Sequence, residues 1–502
     1  MDIVLSVLPI ACLVVMMAVL RWPGDRSSLV ALAVTAAIAV FGFDYPLHDL
    51  PFVFLYGALK ALTPILLIVL MAIYGYNTMM LTGQMEVVKA QFSQVTSDRS
   101  VQVLLLTWGF GGLLEAMAGF GTAVAIPAAI LIGMGYKPMF AALVCLVSNS
   151  VMTAFGALGT PIIVLASETG LPIGNLCVDV SLQLLPFMFI VPFLIVTLAD
   201  SSREALLKNV LLSLVVGAAS FVGQYLAARF MGAESPSVFS SLLAIAAIMA
   251  FTYFRKAHSA ASSKPADYRR FTLAETLKAW SIYLLVLALV VLVSPLFPAL
   301  RTVLYEACVT TVEFPVNGIE PYGIHWLTHA GVLLFVGTFI GGLIQGASVK
   351  ALLKVLFNTL LQLKPTIVTV VCLVGLSAIM DRSGMILVIA TALAAATGSF
   401  YPLFASFVGG IGTFITGSGT PSNILFGKMQ VAVASHIGAS PAWLAAANMT
   451  GTTAGKIVSL QSIAIATSVC NLQGQEGKIL KAALPYAVAY IVILGLVVYL
   501  FV

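Results

Sequence analysis

Ionisable side chains are scarce in this chain, and the few that interrupt its apolar runs have the types and spacing to do chemistry. Glu115 stands four residues before the tetrapeptide GFGT at 119–122, and Lys456 follows the stretch NMTGTTAG. A carboxylate or an ammonium inside an apolar span is costly unless paired or hydrated, so both are candidates for handling an ion. Glu115 could titrate and so hold a coupling proton, or it could be a protonated group used in helix packing. Lys456 could offset the charge of an anionic ligand, pair with Glu115, or snorkel to the interface. A second tetrapeptide, GSGT at 417–420, echoes the first. Gly119, Gly121 and the glycines of GSGT permit tight tips and close approach of a ligand. Thr122, Ser418, Thr420, Ser422 and Asn423 offer hydroxyls and an amide beside them, as do Asn149, Asn448 and Thr452 in the segments that follow. A helix broken within a membrane leaves unpaired N–H groups and partial positive charge at its N-terminal end, which suits an anion. The plainer role of the same residues is capping and close helix packing.

The elements that would position these groups follow from composition. Of 502 residues, 61% are hydrophobic and only 9% charged, and mean hydropathy is +1.08. A soluble chain carries about 25% charged residues, so an all-α integral membrane protein is expected, with backbone polar groups satisfied inside helices. The alternation of a membrane β-barrel is absent. Apolar runs long enough to cross, at about 20 residues each, lie near 3–20, 29–43, 62–80, 138–158, 181–199, 209–228, 238–254, 277–297, 326–347, 365–380, 441–467 and 482–501. That makes about twelve transmembrane helices. The stretches 101–134 and 401–434, interrupted at their Gly-rich centres, read as two re-entrant hairpins. The first run reads as a retained span, since Asp2 precedes it and no small-residue cleavage site follows.

Loop charges orient the chain. Arg21 and Arg26, Lys89 and Arg99, Arg203 and Lys208, the group from Arg255 to Arg270, Lys350 to Lys364, and Lys478 with Lys481 are expected inside. Asp44, Asp49, Glu168, Asp179, Glu234, Glu306, Glu313 and Glu320 fall on the outer side, with both termini. Re-entrant hairpins keep every loop on its preferred side, whereas single crossings would not.

Two halves match at an offset of about 300 residues. Pro64 and Thr82-Gly83 correspond to Pro365 and Ser383-Gly384, GFGT to GSGT, Pro138 to Pro441, Asn149 to Asn448, and Gly156 to Gly455. The charge assignment makes these repeats inverted. That is the architecture of secondary transporters, with a substrate site where half-helix ends converge near the midplane. The expected organisation is a first half over 1–254, with hairpin 101–134 and broken helix 138–162, a cytoplasmic linker at 255–272, and a second half over 273–502, with hairpin 401–434 and broken helix 441–467. Helix 209–228 and its neighbours read as a scaffold, with a homodimer surface possible there.

Other classes are disfavoured. No zinc HExxH, Ser/Lys dyad or paired GxGD aspartates are found, so an enzyme is not expected. No P-loop indicates a primary pump, and the net charge of +5 lies in short loops that offer no nucleic-acid surface. The six cysteines have no metal-ligand or redox spacing, and neither metal nor cofactor is implied. A passive channel stays open, although paired hairpins favour an occluding carrier. Lys60 reads as snorkelling, His325, His329 and His436 as interface residues, and Trp108, Trp326 and Trp443 as belt or packing groups.

The segment 115–162, EAMAGFGTAVAIPAAILIGMGYKPMFAALVCLVSNSVMTAFGALGTPI, together with 183–200 and 417–466, resembles the bacterial lactate permease family over most of the chain, most weakly at 298–325. The resemblance implies a carrier of the cell (inner) membrane that takes up L-lactate, D-lactate or glycolate with protons by an elevator motion. It also implies a small carboxylate substrate, a coupling ion, here a proton, and the lipid bilayer as partners. Two departures stand out. GSGTPSN has Gly419 and Pro421 where the family usually has GSDTSSN, and Asp381-Arg382 replaces an uncharged pair. Asp381 could take over a role of the missing aspartate in ion coupling, or it could pair with Arg382 at the outer interface. The departures leave open a sodium-coupled or exchanging carrier of another small organic anion.

Overall fold

The computed structural model describes residues 2–502 apart from Arg21, Gln94, Ser97, Phe120, 257–270, Asn317 and Glu320. The linker expected at 255–272 therefore lies almost wholly outside the described residues, as do the charges of Arg21 and Glu320.

Among the described residues, eleven helices are long and apolar enough to cross a membrane. The chain is an all-α integral membrane protein. The difference from about twelve expected spans has local causes. The first run is Asp2–Val14 followed by a π-helical turn at Val15–Val19, and the run at 326–347 contracts to Ala330–Ile344. The run at 441–467 divides at Ser459, whose backbone is extended, into Pro441–Val458 and Leu460–Val469. Conversely, 62–80 belongs to a 32-residue span over Leu50–Leu81, interrupted at Thr63-Pro64, where Thr63 leaves helical geometry. Elements that were not expected include Met385–Thr397, the amphipathic helix Val349–Gln362, and an antiparallel pair of strands, β1 (Val309–Val312) and β2 (Tyr322–His325), with Val309 opposite His325. The amphipathic helix and the strands lack a long apolar run, and Met385–Thr397 is apolar but only 13 residues long, too short to cross alone.

The order of elements recurs along the chain. Leu67–Leu81 and Lys364–Arg382 each end in a turn whose glycine, Gly83 or Gly384, has φ of +69° or +83°. The next large elements are the helix pairs around 119–121 and 417–418, then Pro138–Met152 and Pro441–Val458, then Ile173–Ala199 and Glu476–Leu500.

Polar segments occupy the centre and apolar helices the periphery. Every residue from Trp443 to Val458 is buried, and so is every residue from Ser100 to Met117. Helix Arg203–Phe230, by contrast, exposes Leu206, Leu207, Leu214 and Val222, as a lipid-facing surface should. Small residues allow the central helices to touch: a Cβ on Gly409, Gly451 or Gly455 would run into the backbone carbonyls of Asn448, Ser406 or Gly410. Helices 401–416 and 441–458 thus meet backbone to backbone. Trp108 and Trp443 are packing groups, with Nε1 donating to Ser220 Oγ at 2.9 Å and to Val498 O at 3.0 Å.

Candidate functional site

Four interruptions of helix converge on one region. At the first, helix Gly111–Met117 gives way to a turn with φ of +60° at Gly119 and +88° at Gly121, and Thr122–Gly133 follows. Phe120 lies outside the described residues. At the second, Tyr401–Thr416 ends on Gly417, φ +79°, and Gly419–Ile437 begins two residues later. The third follows Pro138–Met152: a short 3-10 turn leads into Ala157, Leu158 and Gly159, all in the left-handed region, before the helix resumes towards Thr169. Proline at 161 and glycine at 159 explain why regular helix fails there. The fourth is Ser459, whose hydroxyl accepts the Ser462 N–H and caps the next helix.

Between these breaks lies a cavity of about 970 Å³. Both tips and both broken helices line it, with helices 2–14, 50–81 and 364–382 forming the opposite wall. Two buried, opposite charges face it, and the less buried Asp25 and Glu476 also line it. Glu115 is 5% exposed and lies against Gly156, where a Cβ would come within 2.7 Å of Oε1. Lys456 is 9% exposed, and its Nζ donates to Gly417 O at 2.7 Å. The two lie within each other's field but form no ion pair within 4 Å. Glu115 Oε2 and the Asn149 amide are buried side by side, and no other protein group hydrogen-bonds these atoms. Buried polar atoms are normally satisfied, so this group has bonding capacity left for a proton, water or ligand.

The expected residues divide into two sets. Glu115, Gly119, Ser418, Thr420, Thr452 and Lys456 line the cavity, as does Gly419. Gly121, Thr122, Asn149, Ser422, Asn423 and Asn448 stand behind it. Thr122 Oγ1 donates to Gly119 O at 2.8 Å, fixing the first tip, and a Cβ on Gly121 would collide with Ile465. Ser422 Oγ donates to Gly409 O at 2.9 Å. Asn423 Nδ2 donates to Pro161 O at 2.9 Å, and its Oδ1 accepts from Asn448 Nδ2 at 2.9 Å. Gln430 extends this network to Asn448 and Tyr401. These amides tie the second tip to the two broken helices. Asp381 does not line the cavity; its Oδ2 pairs with Lys428 Nζ at 2.8 Å, and the Arg382 side chain donates to Gly318 O.

Some cavity residues escaped the sequence reading. Thr153 lies one turn after Asn149, and Thr160 and Gln461 lie just past the two helix breaks. Proximity to a break was the available signal. Two assignments need correction. Lys60 does not snorkel: it is 6% exposed and pairs with Glu168 at 3.4 Å. Glu168 in turn sits in the last turn of a helix, 5% exposed, and not in an outer loop. Each charge satisfies the other, so neither has to reach water.

A family model described as L-lactate permease matches residues 2–502. This chain belongs to the L-lactate permease family. The L-lactate permease of Streptococcus iniae is 40% identical over 443 residues, 88% of this chain and 93% of that protein. The glycolate permease GlcA of Escherichia coli (strain K12) is 30% identical over 538 residues, covering 99% and 95%. A crystal structure of the Alcanivorax borkumensis YdaH transporter aligns with a TM-score of 0.48 at 16% identity, covering 86% of this chain and 84% of that one. As a member of a permease family, the chain is a multi-pass membrane transporter and not an enzyme, and its bacterial relatives are consistent with the inner membrane.

Proposed function

We propose that this permease takes up lactate or a related small 2-hydroxymonocarboxylate such as glycolate, together with protons, by alternating access. The substrate carboxylate sits between the tips at 119–121 and 417–419, where N–H groups and helix ends favour an anion. Lys456 neutralises it, Ser418, Thr420 and Thr452 hydrogen-bond it, and Glu115 carries the coupling proton. The observation that supports this most is the cavity itself: one buried cation and one buried carboxylate, Lys456 and Glu115, face it without a direct ion pair, so a second anion can bind the cation once the carboxylate is protonated. Coupling then has a simple electrostatic origin, because proton and anion each make the other's binding more favourable.

The two tip regions are read as re-entrant hairpins within inverted repeats, and the helices around them as the mobile part of an elevator, with helix 203–230 in a fixed scaffold that would also offer a homodimer surface. Names of relatives support lactate and glycolate as substrates. The test is uptake of labelled lactate and glycolate into proteoliposomes under imposed proton or sodium gradients. Accumulation driven by a proton gradient is expected. Indifference to that gradient would remove proton coupling, and absence of monocarboxylate uptake would remove the substrate assignment.

A further inference from the structure

In the half of the membrane that the loop charges place outermost, four ionisable side chains meet. Lys60 Nζ is 3.4 Å from Glu168 Oε1 and donates to Ser167 O at 2.6 Å. Lys428 Nζ is 3.8 Å from Glu168 Oε2 and 2.8 Å from Asp381 Oδ2. Ser377 Oγ donates to Ile424 O and lies 3.4 Å from Glu168 Oε2. The set is electrically neutral, with two ammonium groups and two carboxylates.

Its connectivity is more informative than its composition. Leu50–Lys60 packs on Lys364–Arg382, and Gly156–Thr169 packs on Gly419–Ile437. The Lys60–Glu168 and Lys428–Asp381 pairs each join one of these helix pairs to the other. An ion pair needed only to fold either unit would lie within it. The β1–β2 segment is fastened to the first unit and the turn that follows it: the Tyr322 hydroxyl donates to Thr63 O, the Tyr56 ring meets Phe314 edge-on at 5.4 Å, and the Arg382 side chain donates to Gly318 O. The second unit carries Thr160, Pro161, Thr420 and Pro421, which line the cavity. That cavity runs out past Trp22, Asp25, Pro365 and Glu476, in segments whose neighbours Arg26, Lys364, Lys478 and Lys481 assign them to the inner side.

We propose that Lys60, Glu168, Lys428 and Asp381 form the outer gate of this permease. The clasp holds helices 156–169 and 419–437 against 50–60 and 364–382 while the cavity opens inward, and it parts when the cavity opens outward. Ion pairs suit this duty. The attraction within the buried Lys60–Glu168 pair roughly repays the desolvation of its members, and Asp381 is already exposed, so water entering from outside can replace these contacts at small net cost. The proposal rests on the alternating-access reading above.

The test reads accessibility and needs no substrate. In a background with Cys308→Ser, Ile415→Cys places a thiol in the cavity wall. An impermeant maleimide applied to right-side-out vesicles should label it slowly, with the same protein lacking Ile415→Cys as the blank. Lys428→Met and Asp381→Asn should each raise the rate about tenfold, equivalent to about 1.4 kcal/mol, and the exchanged pair Lys428→Asp with Asp381→Lys should return it to the slow value. Rates unchanged in both single variants, with elution on size exclusion matching the parent, would overturn the gate. So would a fast rate in the exchanged pair. Proteoliposome uptake is scored separately: loss of lactate transport with the labelling pattern intact would remove the substrate assignment and leave the gate.

Discussion

The cavity and the cluster above it use the same chemical groups under opposite rules. Glu115 and Lys456 both line the cavity without an ion pair between them, and Glu115 Oε2 has only the Asn149 amide beside it. Lys60, Glu168, Lys428 and Asp381 are matched in charge and joined by contacts of 2.8–3.8 Å. In a matched set each charge already has an opposite charge within 4 Å, which fits it to hold helices together. An incomplete set is open to a third charged species. The difference teaches that burial alone does not mark a ligand site in a membrane protein; burial with unspent bonding capacity does.

The comparison breaks most readily at Lys456. Lys456→Met should cost about 2–5 kcal/mol of substrate binding, the usual consequence of removing one member of a buried charged contact. It is measured as affinity in detergent by calorimetry, and an unchanged value would place Lys456 with the structural charges. A comparable loss is expected when the helix break is filled: Gly156→Ala pushes a methyl against the Glu115 carboxylate and should cost about 1–3 kcal/mol, read as reduced uptake. Glu115→Gln should leave lactate exchange between equal concentrations running while abolishing accumulation driven by a pH gradient. If accumulation persists, the coupling proton rides elsewhere. Asn423→Ala removes a member of the network behind the cavity, and should lower thermal stability by about 1–3 kcal/mol with a smaller change in affinity than Lys456→Met.

The smallest effect calibrates the rest. At the N-terminus of helix 99–104, Asp98 accepts from Ser100 and Val101 N–H groups and pairs with Lys208 at 3.0 Å. Burial pushes its carboxyl upward, but the Lys208 ammonium outweighs this and holds it below the usual carboxylate range. Asp98→Asn keeps the cap and removes the charge, so at pH 7 it should cost at most about 1 kcal/mol. The wild-type advantage is present above the ordinary carboxylate range and is lost as pH falls through the lowered folded value. Melting curves of both proteins should therefore converge in acid.

The sequence made some of this legible and hid the rest for physical reasons. Glycine and proline punctuation located the tips at 119 and 417 and the break after Asn149, because backbone that leaves the helix needs those residues. Scarcity of charge singled out Glu115 and Lys456. Distance along the chain concealed the partnership of Lys60 with Glu168: each alone is a lone charge near a helix end, and only folding supplies the other. The same limit applied to Asn423 and Asn448, whose positions beside the tips resemble those of ligand groups but whose amides are occupied with each other. The strands at 309–312 and 322–325 carry no apolar run, so a reading tuned to membrane spans had no signal for them.

The glycine contacts between helices 401–416 and 441–458 have a mechanical consequence. With carbonyls seated where side chains would be, neither helix can slide or roll without steric collision, so the pair can travel only as a single solid piece. A ruler placed between the two helices should read the same length in every state of the transport cycle, while one from either helix to 203–230 should change if the proposed elevator motion takes place. Paired spin labels, measured with and without substrate, would supply both readings.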